Sequence, residues 1–119
     1  MKTNQIAERL VELCKKGDWT TAHKELYSDD AVSLEPYETP EFQKETKGMK
    51  AITEKGRKFD AMVETMHAIK VSEPLVAENS FTMSMHMDAT YKGKGRMAMT
   101  ELCVYQVKDG KIISEQFFV

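Results

Sequence analysis

Three glutamates lie in strand-like segments: Glu35, Glu101 and Glu115. Glu35 ends its segment, whereas Glu101 and Glu115 alternate with apolar side chains. A carboxylate that leaves water without a partner costs free energy, so such a group must be paired, protonated or functional. Carboxyl groups in apolar surroundings are suited to general acid and general base chemistry. We therefore predict that Glu35 is a general base and that Glu101 holds or donates a second proton.

Each glutamate also has a simpler interpretation. Glu35 would be a solvated residue at a strand end, stabilised by a neighbouring lysine. Glu101 would make an internal hydrogen bond that fixes its strand. The face on which Glu115 lies is ambiguous, because Ile112 and Phe118 belong to a competing apolar face of the same segment. Glu115 is therefore predicted only as a ligand-binding residue.

His67 is the third catalytic candidate. It alternates with Ile69 and Val71, and a neutral imidazole near a carboxylate is a common acid/base partner. The alternative is a histidine that is hydrogen-bonded within the core. Cys103 shares the predicted face of Glu101, and we interpret it as a packing residue because nearby acids disfavour a thiolate.

Two C-terminal segments, 81–91 and 97–105, alternate apolar and polar residues with period two, and Lys92 to Gly95 lie between them. This pattern predicts a β-hairpin with one apolar face. We expect that face to form a wall of a pocket for a small apolar molecule. The residues predicted to bind it are Trp19, Tyr37, Phe59, Met85, Met87, Cys103, Tyr105, Glu115 and Phe117.

The methionines of the hairpin also suggest a copper site, because thioethers are ligands that select Cu(I). Successive side chains on one face of a strand stand about 6.6 to 6.8 Å apart, so a compact site would need partners from other strands. His86 is predicted on the opposite face. An adaptable apolar lining explains the methionines more simply. The sequence predicts no metal and no cofactor, since it has neither zinc-type spacing nor a glycine-rich phosphate loop.

The elements that must position these residues follow from the apolar periodicity. Residues 3–16 and 19–27 predict two amphipathic helices separated by Gly17, and a third helix begins after Gly48. Strands are predicted at 31–35, at 65–73, in the hairpin and at 111–119. The polar segment Pro36 to Lys47 predicts a loop, and loops of this length are often lids. The order predicts one α+β domain, 1–119, with three helices on the concave face of a curved antiparallel sheet.

Four segments carry a resemblance to a known family: 17–19 between the first helices, 26–36, 47–52 and 104–112. Together they resemble the NTF2-like superfamily and, within it, the SnoaL-like branch. The resemblance implies a cone-shaped sheet around a pocket that helices close. Members include ketosteroid isomerase, polyketide cyclases, epoxide hydrolases, dehydratases and domains that only bind, so the fold does not decide the function.

The resemblance also implies roles for individual positions. Glu35 lies where the isomerase has its general base, and Cys103, with Glu101 beside it, lies near the position of the oxyanion-binding acid. Leu10 replaces the catalytic tyrosine and can donate no proton. Two hypotheses follow. One is an acid/base enzyme acting on a small, largely apolar, carbonyl-bearing or cyclic molecule; the other is a non-catalytic ligand-binding or structural homodimer.

Composition limits the partners. The chain has 17 basic and 19 acidic residues and a net charge of -2, which offers no basic stripe for nucleic acid. No apolar run is long enough for a membrane span, and no disulfide framework is indicated, so a cytoplasmic protein is predicted. An outer sheet face with Leu102, Val104, Ile112 and Phe118 predicts a homodimer through that convex face.

Overall fold

The structure, a computed structural model, describes residues 1–119. Its helices are α1 (Thr3–Lys15), α2 (Trp19–Leu26) and α3 (Met49–Met62). Its strands are β1 (Tyr27–Leu34), β2 (Glu45–Lys47), β3 (Val63–Val71), β4 (Leu75–Val76), β5 (Ser80–Tyr91), β6 (Gly95–Lys108) and β7 (Lys111–Phe118). The predicted α+β class is confirmed, with three helices and one curved sheet.

The sheet is mixed, which corrects the prediction of an antiparallel one. Its strands follow the order β2-β1-β7-β6-β5-β3. The strand β4 lies outside this order and pairs with the N-terminal end of β5. β1 and β7 run parallel, whereas the other pairs are antiparallel. Period-two alternation shows that a segment is a strand but gives no information on its partner or direction. The strand β2 lies within the segment predicted as a loop, and no strand is predicted at β4, because two or three residues cannot display a period.

Local signals fix the ends of the elements much as predicted. Gly17 has a φ of +67° and ends α1, and the carboxylate of Asp18 accepts a hydrogen bond from the Thr21 amide to cap α2. Asp109 and Gly110 both adopt positive φ in the tight turn from β6 to β7. Such a turn matches the twist of the strands it joins.

The core lies between the helices and the inner face of the hairpin. Ile6, Leu10, Leu26, Ile52 and Met83 are almost completely buried there. The glycine in α3 allows close packing of α3 on α2, because a Cβ at Gly56 would lie 3.4 Å from Cε1 of His23. The inner face of β5 alternates as predicted, with every second residue from Phe81 to Tyr91 buried.

Irregular pairing changes the faces of two other segments. In β3 the register shifts between Met66 and Ala68, so Met66 packs against the core and His67 points outward. The prediction that His67 faces the pocket is therefore wrong, because a bulge reverses the alternation on which it depended. A second irregularity in the β6–β7 pairing places Ile112 in the core, where it is fully buried rather than on the outer face.

None of the three helices combines the length and the apolar character needed to cross a lipid bilayer.

Candidate active site

A cavity of about 350 Å³ lies between the helices and the inner face of the sheet. This volume is within the range of small-molecule sites, roughly 300 to 1,000 Å³. Ten of the predicted site residues line it: Trp19, Glu35, Tyr37, Phe59, Met85, Met87, Glu101, Tyr105, Glu115 and Phe117. Their functional roles remain predictions.

One side of the cavity is apolar and aromatic. Trp19 and Phe59 meet edge to face with ring centroids 6.5 Å apart, and Phe59 meets Tyr91 in the same way at 6.2 Å. Met97 and Met99 of β6 join Met85 and Met87 of β5 on the wall. Flexible thioethers and aromatic edges suit an apolar ligand of irregular shape.

The ion pair of Glu35 and Lys55 forms the first polar part of the wall. The Lys55 ammonium donates to Glu35 Oε2 and to Ser33 Oγ, each at 2.7 Å. Glu35 comes directly after β1, where Pro36 ends the strand, and Lys55 reaches it from α3. Both side chains are mostly buried, with 24% of Glu35 and 16% of Lys55 exposed. A paired carboxylate beside an apolar cavity is positioned to accept a proton from a ligand.

Behind this ion pair lies the buried carboxyl of Glu115. The Ser33 hydroxyl donates to Glu115 Oε2 at 2.6 Å, and the Tyr27 hydroxyl donates to Oε1. Burial raises the pKa of Glu115, against the effect of those hydrogen bonds and of the Lys55 charge. The parallel register of β1 and β7 sets Ser33 directly beside Glu115, which resolves the ambiguity about the face of Glu115.

Glu101 has neither a cationic partner nor a hydroxyl donor, unlike Glu35 with Lys55 and Glu115 with Ser33 and Tyr27. It lies opposite Met85 in the β5–β6 register, and its nearest polar contact is the Cys103 thiol, with Sγ 3.8 Å from Oε1. Burial, and then the negative charges of Glu35 and Glu115, raise the pKa of Glu101 to about 7. The group is therefore partly protonated near neutral pH and can donate a hydrogen bond into the cavity.

Two functional candidates were missed by the sequence reasoning. Lys55 follows Ile52 by three residues and precedes Phe59 by four, so the three residues lie on one face of α3. His23 is buried on the cavity wall beside Tyr27, with ring centroids 4.8 Å apart. Burial and the Lys55 charge lower the pKa of His23 to about 4, so it is neutral at pH 7.

Two predicted residues do not line the cavity. His67 is exposed on the outer face, where Nε2 lies 2.7 Å from the Thr90 hydroxyl. Cys103 is fully buried behind the wall, and burial and the charge of Glu101 raise the pKa of its thiol. The interpretation of Cys103 as a packing residue agrees with this position, whereas its prediction as a ligand-binding residue does not.

The segment after β1 crosses the mouth of the cavity. Tyr37, Glu41 and Phe42 line the opening, and Tyr37 is 59% exposed. Glu41 pairs with Lys94 of the β5–β6 turn at 2.5 Å, and Lys58 of α3 donates to the Glu41 carbonyl. These contacts hold the loop across the opening.

Comparisons with known proteins agree with this architecture. Residues 1–119 match the family described as SnoaL-like domain. A crystal structure from Mesorhizobium loti, provisionally called a SnoaL-like polyketide cyclase, is 32% identical to this chain, with a TM-score of 0.91 and full coverage of both chains. No curated protein sequence matches the chain significantly.

More distant structures share the fold alone. An NTF2-like protein from Burkholderia thailandensis is 15% identical with a TM-score of 0.84, covering 99% of this chain and 90% of its own. A protein from Catenulispora acidiphila with a ketosteroid isomerase-like fold, solved with trimethylamine, is 15% identical with a TM-score of 0.74 and covers 96% and 84%. The full-length family match and the 32% identity over the entire relative show that this chain belongs to the SnoaL-like domain family.

Proposed function

We propose that this chain is an acid/base enzyme that acts on a small, largely apolar, carbonyl-bearing or cyclic molecule. One observation carries the proposal: the same cavity wall bears an anion, Glu35, paired with Lys55, and a carboxyl group, Glu101, that is partly protonated near neutral pH. Two carboxyl groups whose surroundings differ in this way are suited to act as base and acid. The Mesorhizobium loti relative is provisionally called a polyketide cyclase, and this name supports a carbonyl-bearing substrate.

The proposed step is proton transfer at the carbon next to a carbonyl. Glu35 takes the proton as the C–H bond breaks, and Glu101 gives its proton to the carbonyl oxygen as the enol forms. Return of the proton from Glu35 to the same or another carbon, with return of the enol O–H proton to the Glu101 carboxylate, regenerates the carbonyl compound or gives an isomer. Glu35 and Glu101 carry both proton transfers of this step. His23, which is neutral and buried, and Leu10, which supplies no proton, take no part in it.

Exchange of hydrogen for deuterium tests this step without knowledge of the substrate. We expect the protein to catalyse deuterium incorporation next to the carbonyl of some cyclic ketones or β-keto esters in D₂O, followed by ¹H NMR. The rate should fall as pH rises through about 7, because Glu101 then loses the proton it must donate. Glu101→Gln should lower the rate and remove this falling limb, whereas Glu64→Gln, on the exposed surface, should change neither. A wild-type rate with the same limb in Glu101→Gln would contradict the assignment.

A binding role is the second candidate, and the position of Leu10 favours it. Leu10 lines the cavity at the place where the resemblance implies a catalytic tyrosine. In that case the cavity would hold its ligand unchanged, and none of the cyclic ketones or β-keto esters would exchange hydrogen for deuterium. Saturable binding of the same compounds, measured by calorimetry, would then identify the protein as a binder.

We also propose a homodimer formed through the outer face of the sheet. Leu102 and Phe118 are direct neighbours across β6 and β7 and are 54% and 45% exposed. Such paired apolar side chains on a sheet face are suited to contact a second copy. We expect Leu102→Lys to yield a monomer by light scattering, whereas Val76→Lys, an exposed apolar site on β4, should leave the dimer intact. A monomeric wild-type protein would refute the proposal.

A cytoplasmic location is proposed as well. Cys14 and Cys103 are both buried and free, as thiols are in reducing compartments. Fractionation of the source cells should find the protein with cytoplasmic markers, and its recovery outside the cytoplasm would contradict the proposal.

A further inference from the structure

The polar end of the cavity, away from the mouth, contains three carboxyl groups but one lysine. Glu35 follows β1, Glu101 lies on β6 and Glu115 on β7, while Lys55 approaches from α3. The other lysine on the wall, Lys94, is at the mouth and pairs with Glu41. Unlike charges in a partly buried site interact more strongly than they do in water, so the single cation affects every acid around it.

The contacts of Lys55 form a continuous chain. Its ammonium holds Glu35 Oε2 and Ser33 Oγ at 2.7 Å each, and Ser33 in turn donates to Glu115, which accepts from Tyr27 as well. The ammonium also lies 5.5 Å from the centroid of the Phe117 ring, a distance that allows cation–π attraction. These contacts fix a long, flexible side chain in one place.

We propose that Lys55 is a positioning residue: its ammonium orients Glu35 toward the ligand and links it through Ser33 to the buried Glu115–Tyr27 pair, so that Glu35 and Glu115 belong to one hydrogen-bonded network. This inference rests on the proposed function, because it assigns the device that holds the proposed base. A charge-assisted hydrogen bond is both shorter and stronger than a neutral one, so loss of the ammonium frees the Glu35 side chain.

The titratable groups that face Lys55 provide a readout of its charge. Lys55 lowers the pKa values of Glu101, Glu115 and His23, and its replacement by methionine removes that effect. The pKa of His23 should then rise from about 4, and that of Glu101 should rise above about 7. A lysine that only filled space would leave both values unchanged when methionine of similar length replaced it.

The test compares Lys55→Met with Lys50→Met, which removes an exposed lysine from the same helix. For Lys55→Met we expect a fall of about tenfold or more in kcat of deuterium exchange with a smaller change in KM, and a shift of the falling limb to higher pH. Titration of His23 by NMR should show the raised pKa, with exposed His67 and half-buried His86, neither of which lines the cavity, as internal controls. Lys55→Arg should keep the His23 titration near that of the wild type, because it retains the charge.

The outcomes separate this inference from the proposed function. If the wild-type protein catalyses deuterium exchange in no compound, the proposed function fails. The His23 titration still decides whether the Lys55 charge acts on the titratable groups around it. A fall in kcat without a change in His23 or in the pH limb would overturn the inference, as would an unchanged kcat. If Lys55→Met does not fold, Ser33→Ala and Lys55→Arg provide the kcat and His23 readouts instead.

Discussion

Replacing Glu35 by glutamine is expected to lower the rate of deuterium exchange by about 10²- to 10⁴-fold, the usual effect of removing a general base. Glutamine has nearly the same shape, and its carbonyl oxygen can still accept a hydrogen bond from the Lys55 ammonium at the position of Oε2. The cavity should therefore keep its form while the group that accepts the proton loses its basicity. Ligand affinity is expected to change by only about threefold or less, since charge rather than shape is altered.

The control for this experiment is Glu45→Gln, which removes a carboxylate from the exposed strand β2. It should retain the full exchange rate. Circular dichroism and ligand titration should show that Glu35→Gln is folded and binds. If its exchange rate stays within threefold of the wild type, Glu35 is not the base. If the wild type binds the cyclic ketones or β-keto esters but catalyses no deuterium exchange in them, the binding role is the better description.

Replacing Glu115 by leucine is expected to have the largest effect on stability. The change leaves the hydroxyls of Tyr27 and Ser33 without their acceptor in the core. Each buried polar group without a partner costs roughly 1 to 3 kcal/mol, and burial of the leucine side chain recovers part of this. We expect the free energy of unfolding, from urea denaturation, to fall by about 3 kcal/mol.

The pH dependence of this loss has a defined sign. Burial raises the pKa of Glu115 in the folded protein above the ordinary value of 4.5, so the folded state holds the proton more tightly. The stabilising contribution is then complete below pH 4.5 and is lost as pH rises through the raised pKa. The difference in stability between wild type and Glu115→Leu should accordingly be larger at pH 4.5 than at pH 8.

A double-mutant cycle separates the hydrogen bonds from the change in shape. Tyr27→Phe removes one donor, so the combined variant Tyr27→Phe/Glu115→Leu leaves one hydroxyl fewer without an acceptor. Its loss of stability should be smaller than the sum of the two single losses. Additive losses would show that the Tyr27–Glu115 contact contributes nothing specific, and wild-type stability of Glu115→Leu would refute the prediction.

The inner face of the hairpin was predictable because it depends only on local alternation. β5 and β6 pair without irregularity from Ser80–Gln106 to Tyr91–Gly95, so the face deduced for Glu101 with Met99 and Tyr105 is the one that lines the cavity. Helix ends were predictable for a similar reason, since glycine and capping residues act on their own turn. The family resemblance, and with it the fold, follows from such local segments taken together.

Other features depended on contacts between distant segments. The bulge that turns His67 outward comes from the pairing of β3 with β5, and the parallel pairing of β1 with β7 brings Ser33 beside Glu115. Lys55 lies on a helix whose charged residues are mostly exposed, so only its proximity to Glu35 distinguishes it.

The sequence by itself thus determined the elements, the family and the face of the hairpin that carries Glu101, because periodicity and caps are properties of neighbouring residues. The tertiary structure alone decided that Glu35 gained a cation, that Glu115 gained two hydroxyl donors and that Glu101 gained neither. That choice depends on where strands and helices far apart in the chain meet, and charge and burial at those meeting points set the protonation of Glu101 and the pairing of Glu35 with Lys55.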